Sequence, residues 1–238
     1  MVQKGQFLER STLIPVGPDG AVMEGTVHRG QKSPPLLILP PRPEEGGGMD
    51  HVVAAEVAFA VARAGFPTLR FNHRGVGASQ GVRGTGGALV EDAEAAMRVA
   101  LENAGTSSLA VASLHGGARV ALALQERHPA VGGLCLVAPD VDPLSLVRLS
   151  CPLLVIVGRR TPGARAALAA AVAEAGGDLE VIDDAGATFH RNLPQVAGRR
   201  RRGSSGWRAG RAGACKPLDF FTFLHPRRLA RPAGGRTD

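Results

Sequence analysis

The chain has 238 residues, enough for one large domain or a domain with a tail. Its apolar fraction of 44% can fill a buried core, and no apolar run approaches the roughly 20 residues that a membrane span needs. The net charge of +7 is unevenly placed: Arg199 to Asp238 holds ten Arg and one Lys against two Asp, so the remainder, with 17 basic and 19 acidic residues, offers no domain-wide basic surface for nucleic acid.

In chain order, "MVQKGQFLERST" lacks the apolar core of a signal peptide, and a bacterial-type cytoplasm is the expected location. "STLIPVG" and "AVMEGTVHR" flank the turn "PDG" and read as an antiparallel pair. "PPLLILP" has buried-strand character. From Asp50, a plausible N-cap, the period changes: Val53, Val57, Ala60, Val61 and Ala64 share one helical face, which Gly65 ends. "PTLRFNH" is the next strand. "GALVEDAEAAMRVALENAG" is a second helix with Leu89, Ala93, Ala96, Met97 and Ala100 inward. Then follow "SLAVASL" as strand, "GARVALALQERH" as helix, "VGGLCLVAP" and "PLLVIVG" as strands, "PGARAALAAAVAEAGG" as helix and "DLEVIDD" as a last strand. Alternating strands and helices predict an α/β fold: a mostly parallel sheet with helices on both faces and an N-terminal antiparallel hairpin. Ligand sites in such sheets gather at the carboxyl ends of the strands.

The three cysteines lack metal-ligand spacing; Cys135 and Cys151 lie in apolar runs and read as packed small hydrophobes. There is no HExxH or Cys/His cluster, and "GGG" at 46–48 lacks the Lys-Ser/Thr of a phosphate loop, so neither metal nor cofactor is expected. After "LPQVAGRRRR" the periodicity dissolves. The division is therefore a domain at 1–198 and a basic, largely disordered tail at 199–238, with the character of a GC-rich segment read out of frame. Polyanions or acidic partners, nucleic acid included, are expected only through that tail. A small-molecule ligand is the expected partner of the domain, and no membrane is expected; the oligomeric state is not legible.

"LILPPRPEEGGGMDHVV", "GFPTLRFNHRGVGASQG", "VASLHGGARVALAL", "CPLLVIVG" and "FHRN", in that order, resemble the α/β-hydrolase superfamily, its small bacterial esterase-like and dienelactone-hydrolase-like branch. The resemblance covers roughly residues 8 to 195 and implies an α/β-hydrolase-like sheet with a nucleophile elbow at 111–124. In that family the elbow reads small-x-Ser-x-Gly, because strain between strand and helix leaves no room two residues either side of the nucleophile. With Ser113 at the apex the flanks are Val111 and His115, both bulky; with His115 they are Ser113 and Gly117, both small. The favoured register puts His115 where the family has serine.

The resemblance further implies Thr161 of "GRRT" at the position of the triad acid and Ala187 of "DAGATFHRN" at that of the catalytic histidine, a degenerate triad. A shifted alignment leaves His190 as the histidine, and Asp140 or Asp142 as a relocated acid; both aspartates also read as turn and capping residues. Gly116 carries one backbone N–H of an oxyanion hole. Pro41 and Pro43 have none to give, so Arg42 or a nearby glutamate supplies the other. Glu44 and Glu45 read either as an acid/base pair or as partners of the dipole of the helix near Asp50. His73 and Arg74 read as anion ligands or, by the resemblance, as structural residues. The expected function is ligand or partner binding without serine-hydrolase activity; the alternatives are an esterase with an unorthodox site and a polyanion binder acting through the tail.

Overall fold

The computed structural model describes residues 8–18, 20–160, 165–183, 185, 186, 189 and 196. Its centre is built from short buried strands: β3 (Leu36–Leu39), β4 (Thr68–Phe71), β5 (Leu109–Leu114), β6 (Val131–Val137) and β7 (Leu153–Gly158). β3, β5 and β7 are buried throughout, which is why they lack the polar alternation of half-exposed strands, whereas the equally buried β4 alternates and its Thr68 and Arg70 find partners in His28 and in Glu9 and Asp50. β1 (Arg10–Val16) and β2 (Ala21–His28) form the antiparallel hairpin, and β8 (Asp178–Ile182) closes the far side. The eight strands lie in the order β1-β2-β4-β3-β5-β6-β7-β8. β1–β2 and β2–β4 are antiparallel and every other pair is parallel.

The period of two along the strands sorts side chains between two cores. Leu37, Leu39, Val111, Leu134 and Val155 pack with α2 (Gly87–Ala104), α3 (Gly117–Arg127) and Ala171 and Val172 of α4 (Arg165–Glu174). Leu36, Ile38, Ala110, Ala112 and Ile156 pack on the opposite side with α1 (Val52–Arg63), Phe189 and Val196. The inward residues expected of the second helix, Leu89, Ala93, Ala96, Met97 and Ala100, are all buried. Among the described residues no helix is long and apolar enough to cross a membrane.

One cap differs from expectation. His51, not Asp50, caps α1, its Nδ1 accepting the Val53 N–H at 3.3 Å. The carboxylate of Asp50 is drawn instead to the Arg70 guanidinium, 3.1 Å away. Two single turns of 3-10 helix, Pro43–Glu45 and Pro143–Leu146, lie in loops the periodicity leaves unassigned. The first follows β3 and sits beside the turn that follows β5.

Candidate active site

β5 ends at Leu114, and the chain reverses into α3 through His115, whose φ is +48°. Few non-glycine residues adopt such a φ, and histidine is among those that tolerate it. Ser113 lies within β5 on the parity of Leu109 and Val111, so its side chain points toward the α2/α3 core. It is 0% exposed, and its Oγ has no hydrogen-bond partner. Gly117 opens α3 against the end of β3: a Cβ there would lie 2.3 Å from the Pro40 carbonyl oxygen. The other described non-glycine residues with positive φ are Ala138 (φ +44°), just past β6, and Phe189 (φ +51°), beyond β8. All three follow carboxyl ends of strands, where strained backbone accompanies functional sites in open α/β sheets.

The turn after β3 meets this elbow. The Arg42 N–H donates to Glu45 Oε2 at 3.1 Å and the Gly116 N–H donates to the same oxygen at 3.2 Å. The Arg42 guanidinium holds the other oxygen, Oε1, through Nε at 3.2 Å and Nη2 at 2.9 Å. Two backbone N–H groups on one oxygen, beside a strand-to-helix turn, have the layout of an oxyanion hole; here a carboxylate fills it. Burial pulls the Glu45 carboxyl upward, but the hydrogen bonds and charge of Arg42 and the Gly116 N–H outweigh this and hold it below its ordinary value. The dipole reading is thereby corrected for Glu45: it meets the start of α3 rather than α1, because β3 pairs with β5 and carries the 42–45 turn over Gly116.

Around this core stand His51, whose ring meets that of His115 edge-on with centroids 5.7 Å apart, and Asp140. The Asp140 N–H donates to the His115 carbonyl at 3.2 Å. Its carboxylate pairs with Arg119 at 3.2 Å and lies 3.8 Å from Arg42. Asp142 caps the 3-10 turn at Pro143–Leu146, accepting the Leu144 N–H at 3.0 Å. Both aspartates thus have partners other than an imidazole, and among the described residues no carboxylate is hydrogen-bonded to the His115 ring. Thr161, Ala187 and His190 lie outside the described residues, as does the tail. Among the described residues, no three His, Cys, Asp or Glu side chains gather as a metal site.

A model of the serine aminopeptidase S33 family matches residues 45–184, more than half of the chain. The chain belongs to this family of α/β hydrolases. An uncharacterised protein of Rickettsia prowazekii is 30% identical over 144 residues, covering 58% of this chain and 60% of that relative, so the match spans less than two thirds of the relative's own length. Among solved structures, an α/β serine hydrolase homologue from Coxiella burnetii superposes with a TM-score of 0.71 at 28% identity, over 79% of this chain and 93% of that one. A serine hydrolase without lid from Xanthomonas campestris gives 0.68 at 24%, covering 80% and 90%. A dienelactone hydrolase from Anabaena variabilis gives 0.68 at 20%, covering 81% and 94%; these last two show the fold alone.

In this S33 family chain "RFNHRGVGAS" is a hydrogen-bonded clamp. His73, 2% exposed, donates through Nδ1 to Asp92 Oδ2 at 3.2 Å. Arg74 joins the same carboxylate through its backbone N–H at 3.1 Å and through Nε. Asn72 bonds Glu24 at 2.7 Å and receives the Met49 N–H at 2.7 Å, while Ser79 Oγ donates to the Asn72 carbonyl at 2.8 Å. The clamp ties β2, β4 and α2 to the loop leading into α1. The anion-ligand reading of His73 and Arg74 gives way to this one, since Asp92 already occupies both.

Proposed function

We propose that this member of the α/β-hydrolase fold binds a small-molecule ligand at the carboxyl edge of its sheet and does not carry out serine-type hydrolysis. The observation that carries the reading is His115 at the β5–α3 turn with φ +48°, while the Ser113 hydroxyl is buried in the core. Thr161 and Ala187, where the resemblance puts the acid and the histidine, bring neither a carboxylate nor an imidazole. Triad members act as a unit, so loss of any one removes most of the covalent catalysis. What remains is recognition: two convergent N–H donors, the Arg42 guanidinium and the His115 and His51 rings.

A serine-directed fluorophosphonate should leave the folded protein unlabelled. His115→Ser alone should gain at most weak activity, because base and orienting acid are still missing; substantial activity needs His115→Ser, Thr161→Asp and Ala187→His together. One observation favours a second reading: His115 directly precedes Gly116, one of the two donors, and an imidazole there is a nucleophile for an activated ester. Hydrolysis of p-nitrophenyl acetate, lost in His115→Ala, would support that reading, and equal rates in both proteins would dismiss it.

A further inference from the structure

The two backbone donors at the elbow are not open; a side chain of the protein holds them. Glu45 Oε2 accepts from Arg42 N–H and Gly116 N–H together, and Oε1 is gripped by the Arg42 guanidinium. The pair lies directly on the elbow: a Cβ placed on Gly116 would fall 2.3 Å from Arg42 Nε and 2.4 Å from Glu45 Oε1. We infer that Glu45 is a built-in occupant that keeps this hole closed, and that the hole opens to the carboxylate of a small-molecule ligand when the Glu45 side chain swings out. The inference rests on the non-hydrolytic reading above and names the ligand class for the same site.

Three features support exchange of one carboxylate for another. First, the hole is already shaped to a carboxylate, with donors on both oxygens and a planar cation suited to gripping one of them. Second, the donors do not depend on the plug. Arg42 N–H belongs to a 3-10 turn closed by its own backbone bonds, Glu45 N–H to the Arg42 carbonyl at 2.9 Å and Gly47 N–H to the same carbonyl at 3.1 Å. Gly116 N–H is fixed by the elbow. Rotation of the Glu45 side chain therefore frees both without unfolding either segment. Third, Glu45 and Arg42 are each 27% exposed at the side chain, so a path to solvent exists. Charge balance then selects the ligand. With Glu45 withdrawn, the Arg42 guanidinium keeps no partner closer than Asp140, 3.8 Å away and itself shared with Arg119, together with the charge of the exposed Glu44. Neither replaces the 2.9 Å contact that Glu45 makes, so an incoming carboxylate restores the close pairing that a neutral ligand leaves unmet.

An internal competitor lowers apparent affinity by the fraction of molecules in which the hole is open. The test is a 19F NMR titration of the full chain with 4-fluorobenzoate, with the neutral 4-fluorobenzamide beside it, on the wild type, Glu45→Ala and Glu45→Gln. The expected result is a gain of about tenfold in benzoate affinity for Glu45→Ala, a smaller gain for Glu45→Gln, and none for the benzamide. Equal benzoate affinity in wild type and Glu45→Ala, an equal gain for benzamide, or no benzoate binding to any variant would overturn it. Should Glu45→Ala fail to fold, Glu45→Gln decides alone: a gain upholds the plug and no gain removes it. The benzoate has no bond to hydrolyse, and any conversion of the benzamide to benzoate would appear as a new 19F resonance, so failure of the non-hydrolytic reading would register there and in fluorophosphonate labelling and not in the benzoate affinities.

Discussion

His115 holds a backbone conformation that costs an ordinary L-residue about 1–2 kcal/mol, and side-chain chemistry decides how much of that is felt. Asparagine tolerates the left-handed region, whereas a β-branched residue does not. His115→Asn should therefore leave stability within experimental error of wild type, and His115→Val should lose about 1–2 kcal/mol in urea unfolding. Equal stability of the two variants would mean that the φ of +48° is not what selects the residue at the turn. Glu45 shows the opposite kind of constraint. Its backbone is ordinary, and what is particular to it is where its carboxylate goes.

Among the elements, the join between β4 and α2 depends on one buried carboxylate. Asp92 is 1% exposed and faces the His73 ring, the Arg74 N–H and the Arg74 guanidinium. Burial raises its carboxyl, but hydrogen bonds from His73 and Arg74 and their charges outweigh this and hold it below the ordinary 3.8. An acid depressed in the folded state contributes stability that is full above the unfolded value and is lost as pH falls through the folded one. Glu45 acts in the same sense from its ordinary 4.5 downward. His28, held below 6.5 chiefly by burial, starts an earlier loss, because the unfolded chain takes up its proton first. Thermal stability should thus fall gently below pH 6.5 and steeply below about pH 4. Asp92→Ala should cost about 3 kcal/mol at neutral pH by leaving the buried His73 ring without its hydrogen-bond partner and the Arg74 guanidinium without its inner carboxylate, and should flatten the steep acid limb. An unchanged acid limb in that variant would place the titrating group elsewhere.

At the scale of the molecule, what could be read from the sequence follows from how local its cause is. β3, β5 and β7 were legible because strands covered on both faces are continuous apolar runs. The cap of α1 was not, since Asp50 answers to Arg70, a contact made only once β4 is in the sheet. Arg42 and Gly116 could be named as donors, but not the carboxylate that holds them, because Glu45 and Gly116 are 71 residues apart and meet only through the pairing of β3 with β5. Thr161, Ala187 and His190 lie outside the described residues. The same is true of the tail, although Val196 is buried in the α1-side core just before it. Its composition predicts that limited trypsin digestion cuts first between Arg199 and Arg202 and leaves a resistant domain; a tail that resists would belong to the fold. The central claim is that the elbow presents an imidazole and a closed hole rather than a serine nucleophile. Intact-mass spectrometry of the folded protein after exposure to a fluorophosphonate tests it most directly. The predicted result is an unchanged mass, and a stoichiometric adduct mapped to a serine would contradict it.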